Sequence, residues 1–322
     1  MKKVFVVVVL AALIVPLRVE SGQSQAARIG ILGPAEEPRF SELLGGLRQG
    51  LRDRGYSDLA AEILEGRVTR GDQAGAHARV EEFARQRAQV LFVIGSELAR
   101  LARQVSSEMP IVFITPGDPV AAGLVASLAK PGSNMTGMTF EYPELSGKRL
   151  ELLKEMITRI RRVLVLYDPR DASPRQSVTV AREVAPKLGL KLLERETRSA
   201  EEITRGLDAL KEADAFLAIP GGLTSAHYKD IISAANAKRK ATMFNARTGS
   251  TLEALASYGA SDAEIARQVA RLVDKIIKGE QAGDLPVERP RKLELVINLK
   301  TAKQIGVTIP PNLLVRANKV MK

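Results

Sequence analysis

The chain has 322 residues, 45% of them hydrophobic and 26% charged, with a formal net charge of +11 and no cysteine. That length exceeds a single core and sets two domains as the expectation, and a composition this ordinary excludes a disordered protein. The missing cysteine excludes disulfides, thiolate metal sites, cysteine nucleophiles and a lipid-modified cysteine anchor.

In chain order, Lys2 and Lys3 precede the apolar run Val4 to Leu17, and small and polar residues follow. This pattern predicts a secretory signal peptide over residues 1–26, cleaved after Ala26 or after Ser21. An uncleaved anchor or a buried strand is the alternative. Removing residues 1–26 takes away Lys2, Lys3, Arg18 and Glu20, a net +2 out of +11, which leaves about +9. Export without disulfides points to a bacterial periplasm or a similar space.

Short apolar runs then recur. Arg28 to Leu32, Ala61 to Glu65, Val90 to Ile94 and Ile111 to Ile114 form one set. Arg162 to Leu166, Leu190 to Glu194, Ala215 to Ile219 and Thr242 to Phe244 form a second. Such runs suit strands buried on both faces. Helical faces lie between them: Phe40, Leu43, Leu44, Leu47 and Leu51, and then Leu150, Leu153, Met156, Ile157 and Ile160. Ser199 with Glu202, and Ser261 with Glu264, form capping boxes, and Gly279 closes the second helix.

Strand alternating with helix predicts an α/β chain of two Rossmann-like lobes with parallel sheets. The strong helix after Ser261 has no strand set of its own, so the chain is expected to return there to the first lobe. Expected boundaries are 27–139 plus 255–285 for the N-terminal lobe, and 140–254 plus 286–322 for the C-terminal lobe. Several crossovers would then make a multi-strand hinge and a cleft.

In such sheets a ligand sits beyond the carboxyl ends of the strands. The loops at those ends carry Gly, Pro, Ser, Thr or Asp before a helix or turn, which suits anionic groups as well as plain helix capping. Ser96 and a neighbouring helix start are candidates for a carboxylate, and Asp118 for an α-amino group. Asp118 before Pro119 is equally suited to start a turn. Adjacent Glu36 and Glu37 read as solvated loop carboxylates. Among aromatics near strand ends, Tyr142 is the best stacking candidate, with Phe140 and Tyr167 as others. Phe40 and Phe244 read as core. Arg39, Arg170, Arg175 and Arg247 add positive charge to these loops and favour an anionic or zwitterionic ligand.

The motifs for chemistry are absent. "VIGSEL" lacks the G-x-S-x-G elbow, "LSGKRL" is no phosphate loop, and no G-x-G-x-x-G follows the first strand. Only His77 and His227 are present, on different lobes, so neither a zinc site nor a histidine base is expected. The arginines are spread over helix faces without interleaved aromatics, which reads as a solvated surface rather than a nucleic-acid site.

The stretch "GDPVAAGLVASLAKPGSNMTG", followed by "ELSGKRLELLKEM", "SYGAS" and Asp284 to Met321, resembles the ABC-transporter substrate-binding proteins that include tryptophan and other aromatic amino acid binders. The resemblance covers essentially the whole chain after the apolar start. It implies a type I periplasmic binding protein fold with three hinge segments. It also implies a small-molecule ligand, with an ABC permease and ATPase encoded elsewhere as partners. Neither an enzyme activity, a cofactor, a metal nor nucleic acid is expected. The protein is expected to be a monomer that meets the membrane only through the permease. By that resemblance, cleft contacts fall on Ser96, Asp118, Thr139 to Tyr142 (Phe140 among them), Asp171, Ser173, Gly221, Gly222 and Asn245 to Thr248, with Arg247 inside that span. Two loops depart from many relatives: "DPRDASPR" stands where they have asparagine-proline pairs, and "PGGLTSAH" is shorter. A sensing protein that shows its closed form to a membrane receptor is the rival reading. A secreted two-lobe enzyme is a weaker one, and the absence of DNA-binding helices before Arg28 argues against a repressor.

Overall fold

The computed structural model describes residues 26–35, 39–69, 71–141, 143–245 and 253–322. Residues 1–25 of the expected signal peptide, and Glu36, Glu37, Tyr142, Arg247 and Thr248, lie outside the described residues.

Five strands form the first sheet: β1 (Ala27–Pro34), β2 (Ala61–Val68), β3 (Val90–Ile94), β4 (Ile111–Pro116) and β5 (Met135–Glu141). Their order is β2-β1-β3-β4-β5, and every pairing is parallel. The second sheet holds β6 (Arg162–Tyr167), β7 (Lys191–Glu196), β8 (Ala215–Leu217), β9 (Ala241–Phe244) and β10 (Ala256–Gly259). Its order β7-β6-β8-β9-β10 repeats that of the first. Two further strands extend it. β11 (Glu294–Asn298) runs antiparallel to β10, and β12 (Lys319–Met321) runs parallel to β11.

Strand side chains divide by period two between two core layers in each lobe. In β6, Val163, Val165 and Tyr167 join one layer, while Leu164 and Leu166 join the other. Helices α1 (Arg39–Arg52) and α9 (Asp262–Ile277) cover one face of the first sheet, and α2 (Gln73–Arg85) and α3 (Ser96–Val105) the other. Helices α4 (Glu144–Met156) and α5 (Ala172–Val184) cover one face of the second sheet. The other face is covered by α6 (Ala200–Gly206) with its following 3₁₀ turn, and by α8 (Tyr228–Ala237). The short α7 (Gly222–Ala226), and α10 (Leu299–Ile305) and α11 (Pro311–Arg316) near the chain end, complete the set.

Helix α9 packs on α1. The close approach depends on Gly46, where a Cβ would stand 2.3 Å from the carbonyl oxygen of Ala263. Tyr56 after α1 donates its hydroxyl to Asp274 on α9 at 2.9 Å. Burial, and then this bond, push the Tyr56 hydroxyl up to about 12.

The lobe boundaries differ from expectation in two places. Residues 256–259 form the fifth strand of the second sheet, although residues from 255 onward were expected in the first lobe. The second crossover therefore follows Gly259. Residues 286–289 remain with the first lobe: Glu288 accepts from the Thr139 N–H at its carbonyl, and its own N–H donates to Gly137. Three crossovers result, after β5, after β10 and after Glu288. The apolar face that reaches Ile160 is only partly helical: the helix ends at Met156, where Ile157 leaves helical geometry with φ −137°, and the Lys154 ammonium donates to the carbonyls of Thr158 and Ile160 in the turn that follows. No described helix is long and apolar enough to cross a membrane.

Candidate functional site

The carboxyl ends of both sheets face a cavity of about 510 Å³ between the lobes. Pro34, Val68, Ile94, Ile114 with Pro116, and Phe140 line it, so all five strands of the first sheet contribute a residue at or near their ends. Asp171, Pro220, Gly221, Gly222, Ser225 and Asn245 form the wall from the second lobe. A second concavity of about 390 Å³, around Arg48, Tyr56 and Glu62, touches the first lobe alone at its outer edge. Only the inter-lobe cavity lies where a doubly wound sheet places its ligand.

Helix starts reach this cavity from both sides. Helix α3 begins at Ser96 behind Gly95, whose φ of +106° is left-handed and suits glycine alone. Gly95 brings no side-chain acceptor, so the first turn of α3 meets the cavity with its N–H groups uncapped by a side chain. The Ser96 hydroxyl lies 2.7 Å from that of the buried Thr115, which also reaches the Pro116 carbonyl at 3.1 Å. When Thr115 donates to Ser96, the Ser96 proton is released toward the cavity. When Thr115 turns to Pro116, Ser96 can donate back to it. The pair can therefore present a donor or an acceptor.

Asp171 lines the wall and caps α5, accepting from the Ser173 N–H at 3.1 Å. Gly221 precedes α7, and Asn245 follows β9. The Asn245 side-chain oxygen accepts from Tyr228 at 3.0 Å, and its backbone carbonyl accepts from the fully buried Arg149 at 3.3 Å. Arg149 also donates to the Tyr258 carbonyl at 2.7 Å, which ties the wall to β10 just before the second crossover.

Ser96, Phe140, Asp171, Gly221, Gly222 and Asn245 line one cavity. Three other candidates fall outside its wall. Asp118 is exposed and its carboxylate accepts from the Val120 N–H at 2.8 Å, which is the turn-starting role. Thr139 is buried and donates its hydroxyl to the Gly117 carbonyl at 2.5 Å. Ser173 abuts Gly117 across the lobe boundary, where a Cβ on Gly117 would stand 2.9 Å from the Ser173 Cβ and Oγ. Arg170 and Arg175 bind their own loop. Arg170 grips Asp168 at 2.7 Å, which holds that carboxyl below its usual range, and Arg175 donates to the Pro169 carbonyl. Phe244 is core, packed edge-on against Tyr228 with ring centroids 4.7 Å apart. Phe40 is also fully buried, with the Arg67 guanidinium 4.3 Å from its ring centre.

One stretch of wall was not anticipated. Val68, Thr69, Gly71, Asp72 and Gln73 join β2 to α2 and line the cavity. The signal was present: Asp72 caps α2 by accepting from the Gly75 N–H at 2.8 Å, behind a left-handed Gly71. Among the described wall residues the charged ones are Asp72, Glu97 and Asp171, with no lysine, arginine or histidine. The described residues hold no cluster of His, Asp and Glu fit to ligate a metal.

The model of the ABC transporter substrate binding protein family matches residues 28–321. The chain belongs to that family. Its members are binding proteins rather than enzymes. A tyrosine-binding protein of Clostridioides difficile (strain R20291) is 25% identical over 280 residues, which cover 87% of this chain and 81% of the relative. Among solved structures, an ABC domain from Streptococcus pneumonia in complex with L-Trp superposes with a TM-score of 0.79 at 23% identity. The match spans 92% of this chain and all of that one. A conserved domain protein from Vibrio cholerae reaches a TM-score of 0.78 at 28% identity, over 92% of this chain and 99% of that one. Two α/β lobes with mainly parallel sheets are the type I periplasmic binding protein architecture, so the substrate-binding protein has the fold its sequence implied.

Proposed function

We propose that this substrate-binding protein captures a small carboxylate-bearing molecule, an amino acid or aromatic acid, in the cavity between its lobes and hands it to an ABC permease for import. The observation that carries the reading is the cavity itself. Its 510 Å³ is within the range of small-molecule sites, and the strand ends of both lobes contribute to it. The α3 N-terminus and Ser96 receive the ligand carboxylate, since backbone N–H groups at a helix start favour negative charge. Asp171, with Asp72 and Glu97, offers carboxylates to an α-amino group. An apolar side chain rests on Val68, Ile94, Leu98, Leu101 and Phe140. Gly221, Gly222 and Asn245 close the second-lobe side, and Tyr142, Arg247 and Thr248 remain candidates beside them. An amino acid in the relatives' names fits this division.

The three crossovers act as the hinge, and contact of Gly117 with Ser173 marks closure. Ligand favours the closed form by touching both lobes at once. The permease reads that form, its ATPase supplies the energy, and the binding protein works as an exported periplasmic monomer after loss of its signal peptide. Native mass spectrometry of gently purified protein, before and after denaturation, tests the reading. Release of a small carboxylate-bearing molecule supports it. An empty protein that also takes up no amino acid or aromatic acid in a thermal-shift panel overturns it.

A further inference from the structure

Charges that are scattered along the sequence converge at the pole of the second lobe that lies away from the cavity. This is the amino-terminal edge of the second sheet. Arg162 opens β6 and is the register partner of Lys191, which opens β7. Asp214 and Lys240 immediately precede β8 and β9, whose first residues pair with each other, while β8 in turn pairs with β6. Lys240, Asp214, Arg162 and Lys191 therefore form a row across four adjacent strands, about 14 Å long at the usual strand spacing. Arg159, Lys238 and Arg239 project from the loops beside it and are exposed.

Two causes compete for such a cluster. Helix carboxyl ends favour cations, and every doubly wound lobe gathers helix carboxyl ends at this pole. The first lobe is the control, because it has the same topology. There four cations are paired: Arg28 with Glu62 at 2.9 Å, Arg52 with Asp58 at 3.1 Å, Lys275 with Glu280 at 2.9 Å and Lys278 with Asp274 at 2.8 Å, while Arg54, Arg85 and Arg87 make no salt bridge with a described residue. In the second lobe Arg159, Arg162, Lys191, Lys238, Arg239 and Lys240 make no salt bridge with a described residue. Asp214 accepts from the Arg161 and Arg162 N–H groups, each at 2.8 Å; against the cost of its burial these bonds, and then the charges of Arg162 and Lys240, hold its carboxyl below the usual range, so one carboxylate is shared among the cations of the row. Helix ends account for some such cations at either pole, but the second pole gathers six in and beside one strand row where the first has Arg54, Arg85 and Arg87, and that excess needs another cause.

We propose that this pole is a docking surface for an anionic phospholipid membrane. Long, unpaired basic side chains on one edge suit the diffuse charge of lipid headgroups, at about fivefold in binding per residue near the surface. The edge carries no aromatic residue for base stacking, which disfavours single-stranded nucleic acid. The contact holds the binding protein near the membrane of its transporter and is independent of the cavity's ligand.

The test is co-sedimentation of the exported protein, and in parallel of the full chain, with vesicles of phosphatidylcholine alone or with about one third phosphatidylglycerol. Wild type is expected to pellet with the anionic vesicles, and to be released as salt rises from about 0.05 M to about 0.5 M. The triple variant Arg159→Glu, Lys191→Glu and Lys238→Glu is expected to lose binding by about a hundredfold. The matched variant Arg52→Glu, Arg54→Glu and Arg87→Glu in the first lobe is expected to stay within about threefold of wild type. Thermal melts verify that both variants fold, and comparison within each form removes any contribution of residues 1–26. Equal loss in the two variants, pelleting with neutral vesicles, or retention on a soluble polyanion without pelleting would each overturn the proposal.

Discussion

Gly117→Ala is the substitution that separates closure from folding. Gly117 has φ +76°, where an L side chain costs about 1–2 kcal/mol in the open and closed forms alike. Its new Cβ would also meet the Ser173 Cβ and Oγ at 2.9 Å, inside the ordinary contact distance of about 3.5–4 Å. Ser173 belongs to the other lobe, so this second cost arises only when the lobes meet. Overpacking of that size costs about 1–3 kcal/mol, and 1.4 kcal/mol is tenfold in affinity. Calorimetry with L-tryptophan and L-tyrosine should therefore show binding weakened by about tenfold or more. The melting temperature of the unliganded protein should fall as well. Adding Ser173→Gly removes both clashing atoms and leaves the Ser173 Cα at 4.0 Å, an ordinary contact. The double variant should recover affinity and keep the lowered melting temperature, since the left-handed backbone is still strained. Wild-type affinity in Gly117→Ala, or no recovery in the double variant, would refute the closed-form contact.

Three further outcomes follow from the same geometry. Ser96→Ala removes the hydroxyl at the α3 start and should weaken binding by about tenfold, with a melting temperature within a few degrees of wild type, by calorimetry and thermal shift. Asp118→Ala should leave affinity within about twofold and cost about 1 kcal/mol of stability in urea titrations, because the carboxylate serves the Val120 turn. Tyr56 has its hydroxyl raised to about 12, above its ordinary value of 10.0, so its contribution is complete below pH 10 and is lost as pH rises from 10 toward 12. Tyr56→Phe should cost about 1 kcal/mol at neutral pH and flatten the loss of stability over that alkaline window, measured by denaturant melts.

The strands buried on both faces were legible because continuous apolar runs have few other uses. Val90 to Ile94 is the strand as found, and the Ser261 capping box marks the start of α9. β5 escaped notice because "MTGMTFE" reads as polar. Its threonines are buried instead, with Thr136 and Thr139 donating to the Leu285 and Gly117 carbonyls. β10, "ASYG", is too short and small-residued to carry a signal, and that hid the second-sheet strand and misplaced the crossover. At the site, the strand ends pointed to the loops that hold Ser96, Asp171, Gly221, Gly222 and Asn245, and the family resemblance supplied the last four as individual residues; all five line the cavity. Thr69 to Gln73 escaped notice: the Ala61 to Glu65 run reads like the strands buried on both faces, whereas β2 is the half-exposed edge strand, and the loop after it is not counted among the strand ends. Asp118 could not be resolved from sequence. A carboxylate ahead of a proline suits a turn and a ligand equally, and only the Val120 contact separates the two roles.

The central claim is that one small ligand sits in the cavity between the lobes. Calorimetry of residues 27–322 with L-tyrosine, L-tryptophan and aromatic acids tests it most directly, when repeated on Ser225→Trp, which places a large side chain in the second-lobe wall. The account predicts one-to-one binding with a negative heat-capacity change for wild type, and its loss in a variant that still folds. Undiminished binding in Ser225→Trp would place the ligand elsewhere and contradict the account.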